Sequence, residues 1–173
     1  MRSSPSGLLQ YLAMHIDIST RQQTLTVLDD DGELLAEYAV STALNGVGQD
    51  KGSYRTPLGR HIIRAKIGTD APANTVFVGR RATGELWSPE LGEQFPDRDW
   101  ILTRILWLSG CEPGFNRLGN VDTMQRYVYL HGAPDSAEMG KTGSHGCVRM
   151  RNADIIALFD MVPAGTPVNI SED

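Results

Sequence analysis

The sequence predicts a mostly-β, single-domain protein, and three observations lead there. Apolar and polar residues alternate over short runs, the period of a half-buried strand. Long stretches rich in Gly, Ser, Thr and Pro separate those runs. Only residues 152–161 carry a convincing apolar pattern at helical spacing. One or two short helices are therefore expected beside the strands. At 173 residues, one domain with a sizeable core is the natural reading.

The elements follow in chain order. Residues 14–19 alternate Met14, Ile16 and Ile18 with His15, Asp17 and Ser19, which predicts a strand with one buried face. Residues 24–28 predict a second strand. Residues 33–41 are its return arm, across the turn Asp29-Asp30-Asp31-Gly32. Those aspartates lack the spaced oxygen ligands of a calcium loop, so they read as a solvated turn. Residues 42–57 are a Gly-rich loop without either phosphate-binding glycine spacing, so no nucleotide is expected. Residues 59–67 and 74–79 are β-prone. Residues 80–99 read as irregular, a substrate-facing loop. Residues 100–108, with Trp100 and Trp107, are core, and residues 109–120 form another Gly/Pro loop, which holds Cys111. Residues 127–130 predict a strand delivering His131 at its end. Residues 133–143 are a loop, and residues 144–150 carry Cys147. Asn152 predicts the N-cap of the helix, Pro163 and Gly165 stop it, and residues 166–170 are a last strand.

Charge and composition exclude some functions. The net charge of −5 argues against a nucleic-acid partner, which needs a basic field. No stretch approaches the ~20 apolar residues of a membrane span. Two cysteines make no disulfide framework, and a reducing compartment suits them. Residues 1–13 read as a leader without the features of an export signal, which places the expected location in the cytoplasm; a periplasmic location is the alternative. Residues 14–173 are the expected catalytic domain. The residues specify no oligomeric state.

The chemistry concentrates in Ser144-His145-Gly146-Cys147-Val148-Arg149, with His131-Gly132 upstream. A thiol is mostly protonated at neutral pH, so a catalytic cysteine needs a neighbour that takes its proton or stabilises the thiolate. His131, at a strand end, suits that role, and a helix start just after Cys147 is expected to lower the thiol pKa. His15 and His61 read as surface or strand residues. Zinc bound by His131, His145, Cys147 and Cys111 is the competing reading. The His145-x-Cys147 spacing is poor for it, because residues two apart crowd one ion.

These residues resemble the signature of the L,D-transpeptidase catalytic domain, the YkuD-like family. Thr56-Pro57-Leu58-Gly59 is similar to that family's upstream Thr-Pro-x-Gly element, and the resemblance runs over residues 14–170. It implies a β-sandwich with a cysteine acyl-transfer site acting on a peptidoglycan stem peptide or a free muropeptide. Cys147 would be the nucleophile and His131 the base. Gly132 would offer a carbonyl to the other ring nitrogen of the base. Ser144 and His145 would shape the thiol's surroundings, and the Gly146 and Cys147 N–H groups would serve the oxyanion. Arg149 would orient a loop or a substrate carboxylate. Arg104, Arg117 and Arg126 are further candidates for the terminal carboxylate. The chemistry needs no metal or organic cofactor. With a cytoplasmic location, the thioester would pass to water, making an L,D-carboxypeptidase of murein recycling. The alternatives are 3-3 cross-linking or protein attachment by an L,D-transpeptidase, and a non-catalytic wall-binding or regulatory module.

Overall fold

The structure, a computed structural model, describes residues 14–173; the expected leader, residues 1–13, lies outside the described residues. Ten strands and two α-helices are described: β1 (His15–Ser19), β2 (Thr24–Leu28), β3 (Leu34–Ser41), β4 (Gly59–Ile67), β5 (Thr75–Val78), β6 (Arg81–Leu86), α1 (Pro89–Gln94), β7 (Ile101–Gly110), β8 (Tyr129–Gly132), β9 (Val148–Met150), α2 (Asn152–Met161) and β10 (Pro167–Ser171).

The strands run in the order β4-β10-β1-β2-β3-β9-β8-β7, and β4 also pairs with β7. Hydrogen bonding therefore closes a circuit of eight strands, and β5 and β6 extend outward from β7. Alternation builds the inside. Ile16 and Ile18 of β1, Leu25 and Val27 of β2, and Val168 and Ile170 of β10 join one core with Leu130, Val148 and Met150. Helix α2 adds Ile155, Leu158 and Phe159 to the same core. Each fully buried Leu or Ile contributes about 1.5–3 kcal/mol through lost apolar surface.

Two local expectations are corrected. Residues 80–99 are not irregular: they hold β6 and α1. Apolar content hid this, since no β6 residue is fully buried and α1 buries none. Asn152 is not the N-cap of α2, a position Arg151 takes without a side-chain bond. The Asn152 side chain instead accepts from the Thr103 hydroxyl at 2.6 Å and donates to Asn74 at 2.9 Å. Of the two readings for His61, surface or strand, the strand one holds: it lies in β4 and is buried, with its ring nitrogens 3.0 Å from the Gly59 carbonyl and 2.9 Å from the Thr123 hydroxyl. The acidic turn is as expected, with Asp29 Oδ1 accepting from the Asp31 and Glu33 N–H groups.

The site depends on a bend in β7. Thr103 adopts φ 78 inside the strand, where the register of β7 against β8 shifts between Leu102 and Ile105. A β-branched residue there is strained, and its hydroxyl bonds hold it in place. Beyond the bend, Phe77 of β5 shares a cluster with Ile105 and Tyr129, with Cys147 packed against it. The β5–β6 hairpin thus folds over the face of β8.

Candidate active site

Strands β8 and β9 are parallel, with His131 opposite Arg149 and Leu130 opposite Val148. One face, carrying Leu130, Val148 and Met150, is core. The other therefore carries Tyr129, His131, Cys147 and Arg149, because side chains alternate along a strand. Continuing the register sets Cys147 opposite Tyr129, one diagonal step from His131, roughly 8 Å at the backbone from strand spacing and rise. Sixteen residues of sequence are thereby reduced to one step across the sheet.

His131 is buried. Its Nδ1 lies 2.6 Å from the Gly132 carbonyl, which fixes a proton on Nδ1 and leaves Nε2 as the basic nitrogen. Nε2 is buried and has no hydrogen-bond partner among the described residues. Burial pushes the imidazole below its ordinary 6.5, against the opposing pull of the Asp99 carboxylate and the Gly132 carbonyl. Gly132 has no room for a side chain: a Cβ would overlap Asn152 Oδ1 and stand 2.6 Å from the Leu102 carbonyl. The Thr103–Asn152–Asn74 chain therefore packs directly behind the carbonyl that orients His131.

Cys147 is half-buried. Its Sγ accepts from the Tyr129 N–H at 3.3 Å and donates to the Tyr127 carbonyl at 3.4 Å. Burial pushes the thiol up to about 12, although the Tyr129 N–H works in the other direction. The expected lowering by a helix start is absent, because β9 intervenes between Cys147 and α2. Burial thus favours the neutral form of both the thiol and the imidazole.

The loop before Cys147 is tied at several points. Ser144 Oγ donates to the Cys147 carbonyl at 2.5 Å and accepts from the Gly146 N–H at 3.2 Å. The Gly146 N–H, expected to serve an oxyanion, is thus already occupied. Gly146 has φ 130, backbone that glycine tolerates best. Its carbonyl accepts from the Thr56 hydroxyl at 2.9 Å, and that hydroxyl accepts from the Ala43 N–H at 3.0 Å. The Thr-Pro-x-Gly element is therefore a brace for the cysteine loop.

Asp99 was missed in the sequence because it sits in the stretch read as irregular. Its Oδ1 lies 3.4 Å from His145 Nδ1 and 3.2 Å from an Arg149 nitrogen. Burial disfavours the carboxylate charge, but His131, Arg149 and His145 outweigh it and hold the carboxyl below its ordinary range. Arg149 also donates to the Gly143 carbonyl at 3.0 Å, so it ties the loop to Asp99. Of the other cations, Arg104 is buried on the Ala71 and Thr103 carbonyls, and Arg117 lines a separate cavity of about 480 Å³ with Arg64 and Cys111. Arg126 lines the cleft beside the thiol but spends its donors on the Gly48 and Arg55 carbonyls and Ser53. That cleft holds about 280 Å³ and is also lined by Lys51, Tyr54, Tyr127 and His145.

The chain is similar in sequence and in fold to several known proteins. The chain is 31% identical over 112 residues to a protein of Escherichia coli (strain K12) named "Probable L,D-transpeptidase YbiS", covering 62% of this chain and 35% of that one. It is 47% identical over 45 residues to "Probable L,D-transpeptidase ErfK/SrfK" of Salmonella typhimurium, covering 26% of this chain and 15% of that one. The chain thus matches only about a third or less of the length of these relatives. Its fold matches L,D-transpeptidase 3 from Mycobacterium tuberculosis, solved with a faropenem-derived adduct, at TM-score 0.57 and 19% identity, covering 92% of this chain and 60% of that one. The sequence model of the YkuD family, described as the L,D-transpeptidase catalytic domain, matches residues 13–170, nearly all of the sequence, and the chain belongs to that family.

Proposed function

We propose that this chain cleaves the L,D bond of peptidoglycan stem tetrapeptides, between the third residue (meso-diaminopimelate) and the terminal D-alanine, through a thioester at Cys147. The single observation that carries this reading is the shared face of β8 and β9. It sets a thiol one diagonal step from a buried imidazole whose Nε2 has no partner among the described residues. Rotation of the thiol away from the Tyr127 carbonyl directs its proton to that nitrogen. His131 takes the proton as Sγ attacks the carbonyl carbon, and the imidazolium then protonates the departing amine of D-alanine. Asp99 favours the imidazolium formed in that step. Gly132 holds the ring, and Ser144 and Thr56 hold the loop that presents Cys147.

Water resolves the thioester when the tetrapeptide is alone, which gives an L,D-carboxypeptidase. The amine of a second stem peptide competes for the same thioester, the reaction that the names of the relatives describe. Weighing the products of a disaccharide tetrapeptide, with and without an acceptor amine, separates these outcomes. Loss of one D-alanine supports hydrolysis, and a dimer mass supports transfer. No turnover by the wild-type chain would sink both. Carbapenem is expected to label the wild-type protein and not Cys147→Ser.

A further inference from the structure

Of the four arginines named from the sequence for a substrate carboxylate, Arg104, Arg126 and Arg149 spend donors on protein groups and Arg117 lines a separate cavity, whereas Arg80 makes one side-chain hydrogen bond among the described residues, to a tyrosine hydroxyl. Arg80 lies at the tip of the β5–β6 hairpin, where Val78 pairs with Arg81. Gly79 and Arg80 have φ 55 and φ 64, the two left-handed residues of a type I′ turn. Glycine or asparagine suits such a turn, and an arginine there is strained.

The side chain is held where it can act. Its guanidinium carbon stands 4.7 Å from the Trp107 ring and 4.7 Å from the Tyr127 ring, and one nitrogen donates to the Tyr129 hydroxyl at 3.0 Å. A guanidinium packed on rings and bonded through one nitrogen to the Tyr129 hydroxyl keeps its remaining N–H donors for a ligand. The same residues reach Cys147. The Tyr129 N–H and the Tyr127 carbonyl both bond Sγ, and Tyr127 lines the thiol cleft. Arg80 and Tyr127 both retain solvent access.

Resting on the acyl-transfer reading above, we infer that Arg80, seated on Trp107 and Tyr127 and held by Tyr129, binds a carboxylate of the acyl-donor peptide beside the scissile bond. Two carboxylates of such a peptide carry this chemistry: the C-terminus of the residue that leaves and the side chain of the residue that is attacked. A planar fork meets either one edge-on.

The test compares wild-type, Arg80→Gly and Arg80→Met proteins on three tetrapeptides: the free acid, a C-terminal carboxamide, and a side-chain carboxamide at the third residue. Glycine suits the turn, so Arg80→Gly is expected to melt no lower than Arg80→Met. Both variants are expected to raise KM for the free acid at least tenfold with kcat changed less than threefold. On one carboxamide, which names the carboxylate, the wild type is expected to show the same loss and the variants no further loss. Equal losses on all three peptides, or none, would overturn the assignment. Calorimetric binding of the same peptides to Cys147→Ala, with and without Arg80→Gly, needs no turnover. Charge-dependent binding without D-alanine release would leave Arg80 standing and remove the acyl-transfer reading. Binding by Cys147→Ala that is insensitive to Arg80→Gly would overturn the Arg80 assignment.

Discussion

The Thr56 hydroxyl donates to the Gly146 carbonyl at 2.9 Å, joining residues 90 apart in the chain. It is fully buried and also accepts from the Ala43 N–H, so one oxygen braces two loops against each other. Thr56→Val keeps the shape and removes the oxygen. Two buried backbone groups then lose their partner, at about 1–3 kcal/mol for each. Urea unfolding is expected to show about 2–6 kcal/mol of lost stability, with slower acylation by carbapenem. An unchanged acylation rate would separate the brace from the chemistry.

The pH profile follows from two buried groups. Burial holds His131 below its ordinary 6.5 and raises Cys147 to about 12. A base works only unprotonated, so activity is lost as pH falls through the His131 value. kcat/KM is expected to show an acid limb with its midpoint below pH 6.5 and a flat region from about pH 7 to 9. The ultraviolet absorbance of a thiolate at pH 7 would contradict a neutral resting pair.

Asp99 raises the His131 value from outside the strand pair. Asp99→Asn removes that charge, so the acid limb is expected to move to lower pH while kcat falls, because the imidazolium loses its stabilising carboxylate. A limb that stays in place would mean that Asp99 acts only by tying His145 and Arg149.

Gly132→Ala drives a Cβ against Asn152 Oδ1 and the Leu102 carbonyl. Overpacking of that kind costs about 1–3 kcal/mol. It also shifts the carbonyl that holds His131 Nδ1. Thermal melting is expected to fall together with kcat, and a variant that melts and turns over like wild type would contradict the clash.

His61 offers a stability test away from the thiol. Its imidazole titrates near 6.5 when unfolded and, driven down by burial, at about 4 when folded. Below pH 6.5 protons bind the unfolded chain first, so stability present above pH 6.5 is lost as pH falls towards 4. That drop corresponds to about 3 kcal/mol. Urea unfolding of His61→Gln is expected to lose about that much less than wild type between pH 7 and 4.

Much of the fold was legible because the relevant signals are local. Ile16 and Ile18, Leu25 and Val27, and Val168 and Ile170 announce strands through period two, and Asp29 closes its turn on its own neighbours. Strand β6 and helix α1 were not legible, since both lie on the surface and carry no apolar face. Asn152 shows a different failure: its side chain is a capping type, but two residues from other elements claim it.

By itself, the sequence determined a mostly-β chain in which one thiol, one histidine and a run of glycines stand out together. Residue type and short-range spacing are enough for that. Only the tertiary structure decided the burial of the pair, the occupied Gly146 N–H, the contacts of Asp99 and the seat of Arg80 on Trp107 and Tyr127. Charge and burial at a point in space depend on which distant segments meet there. Here those segments are strands β8 and β9, the Thr56 loop and a hairpin turned inward by the bend at Thr103.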